Sequence, residues 1–404
     1  MGNDIQKVYD VIVVGAGPAG STTAAFLGMA GHKVLLIDKY KFPRDKACGD
    51  AISGSLRTHE ILGLTELVKK GPHAEVHRVI FSSPKGDVVD IPFQSTGYVC
   101  RRHVYDNLVF EEAKKHAETI EDFAVTEIIK EDGYIRGIKG KDNEGAEKEF
   151  RAKIVIGADG ALSTVAKQTG CLDLDPEHTL TAIRCYYTGV SGMKDGIELH
   201  FVDEIIPGYF WIFPLENGLA NVGLGMVVKD FQKKKWKMTD KMFEIIANNP
   251  LFKDRFKEAK LQEGTMKAWT LPVGSKRRKA HGNGFVLVGD AAGLIDAFTG
   301  EGISNAMTSG RLAAEWADKA MKANDFSESF LKQYEDAVWE DLGSKLKTSY
   351  NLQKLGRQKF LVNLVVGKAS KSRQVNDTLR TMMDNVEHRK MLANPLFYLK
   401  LLFA

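Results

Sequence analysis

The sequence predicts an α/β protein in which a parallel βαβ sheet domain is interleaved with an antiparallel-sheet domain and followed by a helical C-terminal region. Three observations carry this. Apolar runs such as Val11-Ile12-Val13-Val14, Ile154-Val155-Ile156 and Phe285-Val286-Leu287-Val288 each stop at a glycine, as strands buried on both faces do. Residues 180–228 instead alternate aromatic and small residues, the pattern of an antiparallel sheet. The 404 residues include 38 Gly against 11 Pro, which suits many tight strand-to-helix turns. A composition of 44% hydrophobic and 27% charged residues excludes a disordered chain, a fibre and a disulfide miniprotein.

Taken in order, Tyr9–Val14 reads as a strand, Pro18–Ala30 as a helix rich in small residues, and Val34–Ile37 as a second buried strand. These make one βαβ unit. Residues 74–100 read as short strands around the turn Pro84-Lys85-Gly86-Asp87, and 102–119 as a helix. Three strands are expected within 123–156, a helix over 239–260, a strand at 285–288, and helices over 302–323 and 327–347. The parallel-sheet domain therefore takes residues 1–73, 101–178 and 281–330. A second domain takes 74–100 and 179–280, and 331–404 is a helical, basic region.

Gly15-Ala16-Gly17-Pro18-Ala19-Gly20 opens a helix directly after a strand. In this Rossmann-like setting Gly15 allows the turn, Gly17 admits a pyrophosphate close to the backbone, and Gly20 lets the helix pack tightly. Ala19 belongs to the same phosphate turn. The helix N–H groups and dipole favour the anion. Asp38 lies 23 residues after Gly15, at the end of the next strand, where a carboxylate can accept ribose hydroxyls.

Two later motifs select FAD over NAD. Gly157-Ala158-Asp159-Gly160 follows one buried strand, and Gly289-Asp290-Ala291-Ala292-Gly293 follows another, with Gly300-Glu301-Gly302-Ile303 beyond it. A long flavin dinucleotide needs a second strand end to bring a carboxylate to its ribityl hydroxyls, which Asp290 fits. A helix starting near Gly302 and Ile303 aims its N–H groups at the flavin edge where charge collects on reduction. Asp159 is counted with the cofactor residues.

These three motifs resemble those of FAD-dependent oxidoreductases related to aromatic hydroxylases. Within that group the chain is most similar to the geranylgeranyl reductase family. Phe42-Pro43-Arg44-Asp45-Lys46-Ala47-Cys48-Gly49-Asp50 resembles its Cys-Gly segment, and Tyr209-Phe210-Trp211-Ile212-Phe213-Pro214 its YxWxFP signature. The chain departs in having Ile206 where the family pattern has Pro, with Pro207 next. The resemblance implies that Cys48 and Gly49 pass close to the flavin, that Arg102, rather than Arg101, contacts the cofactor, and that the backbone of Ala124 contacts adenine. It further implies a substrate wall at Tyr209 and Trp211, with Cys48 positioning substrate or relaying a proton. Tyr209, Trp211 and Phe213 share one face of a strand, which core packing alone would also explain.

The implied activity is saturation of isolated C=C bonds in a prenyl chain, carried by a diphosphate, a lipid, a quinone or a chlorophyll precursor. The alternative is a monooxygenase or halogenase of the same fold. Gly223-Leu224-Gly225 makes no second dinucleotide turn, so no separate NADPH-binding domain is expected, and the electron donor is either transient NAD(P)H or ferredoxin. The net charge of +4 is too small for a nucleic-acid binder. Cysteines 48, 100, 171 and 185 form no metal-ligand spacing, and none of the 10 histidines has a partner pattern. No signal peptide or spanning segment is read, so a cytoplasmic protein is expected. Residues 341–404 hold 12 Lys and Arg against 4 Asp and Glu, a local +8, and end in the apolar stretch 395–404. Peripheral contact with the cytoplasmic face of a membrane is the corresponding expectation, against simple packing on the protein.

Overall fold

The computed structural model describes residues 8–52 and 57–384, and the chain in it is organised by two mixed sheets. The first has eight strands. Its parallel centre runs Phe285–Leu287, Glu147–Gly157, Val8–Val14, Val34–Ile37 and Glu118–Ile120. The register sets Val14 beside both Ile37 and Gly157, and Leu287 beside Gly157. The carboxyl ends of strands far apart in sequence therefore finish side by side, where open α/β sheets bind ligands. The helices Pro18–Met29 and Ile303–Ala323 pack on each other: Thr23 Oγ1 donates to the Gly310 carbonyl at 3.1 Å.

The second sheet has nine strands, with Lys260–Leu261, Thr179–Thr188, Leu219–Val227, Tyr209–Pro214, Gly196–His200, Ala74–Ser82, Val88–Val99 and Ala51–Ile52 in order. The ninth strand, Lys267–Pro272, pairs with Thr179–Thr188. Alternation divides the signature strand. Phe210 and Ile212 enter a core with the helix Met238–Asn248, while Trp211 and Phe213 face the opposite way, with Tyr209 packed against them. The helices Lys359–Ala369 and Arg373–Asp384 cover Val79, Val89 and Ile91 on the far strands.

The structure differs from the sequence expectations at several boundaries. The helix expected over 102–119 ends at Lys114, and Glu118–Ile120 joins the sheet edge beside Val34–Ile37. The helix expected over 239–260 is Met238–Asn248; Asn249 is extended ahead of Pro250, whose ring disfavours a helical predecessor. The helix expected over 327–347 continues to Gly356. Ala51–Ile52 belongs to the second sheet, not the first. That sheet is not wholly antiparallel, because Gly196–His200 runs parallel to Ala74–Ser82.

Candidate active site

A single cavity of about 1230 Å³ runs from the carboxyl ends of the first sheet onto the inner face of the second. Single-ligand pockets are commonly about 300–1,000 Å³, so this one has room for a dinucleotide and part of a second molecule.

At its polar end, Gly15 takes φ +99, a conformation open to glycine. A Cβ on Gly20 would lie 1.8 Å from the Gly15 carbonyl oxygen, so this glycine serves the packing of helix on turn and does not line the cavity. A Cβ on Gly17 would meet only Arg44 Nη2, at 3.5 Å, so that position is open toward the cavity. Gly17 starts the helix Pro18–Met29 with no side-chain cap, and Ala19 lines the wall. Asp38 accepts the Ala16 N–H at 2.7 Å and the Tyr40 N–H at 2.9 Å, leaving further lone pairs at the cavity edge. Ala124 lines the same end. Asp159 also lines it, but its carboxylate is occupied at the start of the helix Thr164–Gln168. It accepts the Thr164 N–H at 2.6 Å and the Ser163 hydroxyl. Asp159 therefore also fixes the turn at this end of the cavity.

Midway, Asp290 pairs with Lys46 at 2.9 Å, and both line the cavity. Gly302 begins the helix Ile303–Ala323, again without a side-chain cap, and a Cβ on it would sit 3.6 Å from Asp290 Oδ1. Arg102 is buried and grips Asp106 through two bonds of 2.6 and 2.8 Å, while Arg44 reaches the same carboxylate at 2.8 Å. Burial would raise the Asp106 carboxyl, but Arg102 and Arg44 hold it below its ordinary value. Arg102 lines the cavity, whereas Arg101 turns away to Glu216. Cys48 is half-buried on the wall, and burial pushes its thiol up despite the nearby Arg102.

The apolar end is walled by Tyr209 and Trp211, with ring centroids 6.0 Å apart, and by Phe213, 6.3 Å from Trp211. Gly49 lies against this wall; its Cβ would come within 2.9 Å of Phe213. Trp211 Nε1 donates to Asn221 Oδ1 at 2.9 Å, and the Tyr209 hydroxyl donates to the Thr299 carbonyl. Val76, Val79, Phe93, Ile197 and Leu199 extend the apolar lining.

Sequence reasoning passed over Arg44, Lys46, Asp50, Asp106, Tyr186 and Asn221, all within this network. The Arg102/Asp106 spacing of i, i+4 was a legible signal for one of them. Asn221 and Tyr186 carry none, because only strand pairing brings them opposite the Cys48 loop.

These residues fit FAD. Two uncapped helix starts and two carboxylates, Asp38 and Asp290, are strung along one elongated cavity, and a close-approach glycine stands at its phosphate end. Among the described residues no cluster of His, Cys, Asp or Glu could hold a metal ion.

Comparison with known proteins agrees. The FAD binding domain family matches residues 8–337. The chain is 33% identical to the digeranylgeranylglycerophospholipid reductase of Methanocella arvoryzae over 362 residues, 87% of this chain and 88% of that one. Against the protein of that name from Methanocaldococcus jannaschii it is 34% identical, over 87% of this chain and 88% of the other. A geranylgeranyl bacteriochlorophyll reductase-like structure from Thermoplasma acidophilum superposes with a TM-score of 0.83 at 26% identity, covering 96% of this chain and 99% of that one. A flavin-dependent brominase superposes at 0.77 with 21% identity, over 95% and 94% of the two chains, a likeness of fold alone. The chain binds FAD as its cofactor and belongs, within the flavoproteins that share this FAD binding domain, to the geranylgeranyl reductase family.

Proposed function

We propose that this protein is an FAD-dependent reductase that saturates isolated C=C bonds in geranylgeranyl chains of a membrane lipid. The observation that carries this reading is the continuity of one cavity from the dinucleotide cradle at Gly15–Ala19 to the aromatic wall at Tyr209–Phe213. The names of the related reductases point to a lipid with two such chains.

Bound here and reduced, FAD would supply the hydride for one alkene carbon. The chain's own residues do the rest. Gly15, Gly17 and Ala19 with Asp38 would hold the adenosine end, and Arg102, Asp290, Gly302 and Ile303, which line the same cavity, would hold the ribityl and flavin end. Cys48 and Gly49 lie along the wall between that end and Trp211. Tyr209, Trp211 and Phe213 exclude water and align the chain, because an alkene with no neighbouring carbonyl reacts only when held close. Each five-carbon unit taken from water contributes about 4 kcal/mol, at about 0.8 per carbon.

Mass spectrometry of prenyl lipids incubated with the dithionite-reduced protein should show steps of about +2 Da, one hydride and one proton per bond. Unchanged lipid masses would refute the reading. Reducing equivalents come from NAD(P)H or ferredoxin, distinguished by which of the two bleaches the oxidised-flavin absorbance.

Access to such a lipid implies peripheral membrane contact. Among the described residues no helix is long and apolar enough to cross a membrane. The stretch 395–404, expected to dock, lies outside the described residues. The basic C-terminal region, locally +8 by 12 against 4 charges, supports contact with an anionic surface. Co-sedimentation with anionic vesicles should fade between about 0.1 and 1 M salt. Equal recovery in the supernatant with and without vesicles at low salt would refute it.

A further inference from the structure

Adding hydrogen across an unpolarised C=C bond needs an acid as well as a hydride, and a buried carboxyl stands at the cavity wall. Asp50 follows Cys48 and Gly49 and takes φ 65, in the left-handed region that Asp and Asn tolerate. It is 0% exposed, yet it lines the cavity. Its two oxygens are held differently. Oδ2 accepts the Tyr186 hydroxyl at 2.8 Å and Asn221 Nδ2 at 2.8 Å, whereas Oδ1 has one long contact, the Arg102 N–H at 3.3 Å. Two donors on Oδ2 make it the carbonyl-like oxygen and leave Oδ1 to carry the proton.

The same network ties Asp50 to the reacting wall. Asn221 Nδ2 also donates to the Cys48 carbonyl at 2.7 Å, and Asn221 Oδ1 accepts Trp211 Nε1 at 2.9 Å. The groups facing Asp50 are Arg184 and Tyr186 from the strand Thr179–Thr188, Arg102 from the helix Arg102–Lys114, Cys100 beside the strand Val88–Val99, and Cys48. Burial outweighs the cations and pushes the carboxyl up to about 6. Burial also raises Cys48, so its thiol is the far weaker acid of the two.

We propose that Asp50 is the acid of the reaction, releasing its Oδ1 proton to the alkene carbon that does not receive the hydride. This rests on the prenyl-reducing reading. The π pair of the alkene closes a C–H bond with the Asp50 proton, and the hydride from reduced FAD closes the other. The alkene gains two electrons, the flavin loses two, and Asp50 is left as a carboxylate that solvent reprotonates.

The test uses the FAD-loaded protein and D50N, whose amide oxygen still accepts from Tyr186 and Asn221. FAD content and melting temperature should stay at wild-type values, while prenyl-lipid reduction falls by about a hundredfold or more. Wild-type reduction should decline as pH rises through about 6, where the acid is lost. The residual D50N activity should be flat there. Infrared spectra of the resting protein should show a protonated-carboxyl band that disappears over the same pH range and is absent from D50N. Y186F removes one donor that favours the carboxylate, so its decline should move to higher pH with FAD retained. A D50N protein that reduces lipid at the wild-type rate with the wild-type pH profile overturns the proposal alone. So does a Y186F profile that does not move, which decides the matter should D50N fail to fold. A wild type that leaves every prenyl lipid unreduced overturns the functional reading and this proposal together.

Discussion

Gly17→Ala separates a glycine kept for a ligand from one kept for the fold. Gly17 sits at φ −68 and ψ −177, which alanine adopts freely, and its added Cβ would meet only Arg44 Nη2 at 3.5 Å, an ordinary contact. The flavin-free variant should therefore be as stable as the wild type, or more stable by about 0.4–1 kcal/mol, because alanine restricts the unfolded chain. FAD binding should respond differently. A methyl at the mouth of the cradle holds a pyrophosphate away from the helix N–H groups. Losing two charge-assisted hydrogen bonds at about 1.5–3 kcal/mol each gives about 3–6 kcal/mol. That corresponds to a Kd weaker by about 10²–10⁴. Urea unfolding of the flavin-free protein and fluorescence titration with FAD measure the two quantities separately. Gly20→Ala is the control, since its Cβ would lie 1.8 Å from the Gly15 oxygen and should cost stability and FAD together. A Gly17→Ala protein that binds FAD within about threefold of the wild type, less than 1 kcal/mol, would refute close approach of the pyrophosphate at this glycine.

Asp290→Ala should weaken FAD retention by about 1.5–3 kcal/mol, through loss of a charged acceptor at the ribityl end. It also frees Lys46, now 2.9 Å away, and unchanged flavin absorbance after gel filtration would contradict this placement. Trp211→Ala should keep FAD and abolish most turnover of prenyl lipids, because the ring faces the cavity while its strand neighbours Phe210 and Ile212 hold the core. If the variant instead loses FAD and unfolds early, by the about 3–5 kcal/mol of a core aromatic truncation, Trp211 is a core residue first.

What the sequence made legible is what local periodicity encodes. The strands Val8–Val14, Glu147–Gly157 and Phe285–Leu287 are legible because each ends in a glycine turn, and those turns line the cavity. The alternation of Tyr209, Trp211 and Phe213 likewise predicted one shared face. Long-range pairing left no such trace. Nothing local sets Gly196 beside Arg78 in a parallel pair, or Asn221 beside the Cys48 carbonyl. Asp50 escaped notice because its burial is imposed by Tyr186, Asn221 and Arg102, each distant in sequence. For Asp159 the turn is legible, but which N–H groups its carboxylate meets depends on the helix that follows.

The packing of the helix Pro18–Met29 against Ile303–Ala323 bears on how the chain emerges from the ribosome. The first helix is buried nearly all round, nine of its twelve residues including Ser21, Thr22 and Thr23, and so has little solvent-facing side in the folded protein. Its partner surface at Gly310, where an added Cβ would come within 2.5 Å of the Ala19 oxygen, is made much later in the chain. At about 5–20 residues per second, the intervening stretch takes on the order of 15–60 s to synthesise. For that interval the face of the cradle helix that meets Ile303–Ala323 has no native cover, although Arg102–Lys114 and the neighbouring strands are already made. The cavity is therefore incomplete until the residues near 310 arrive, and FAD has no complete site to enter before then.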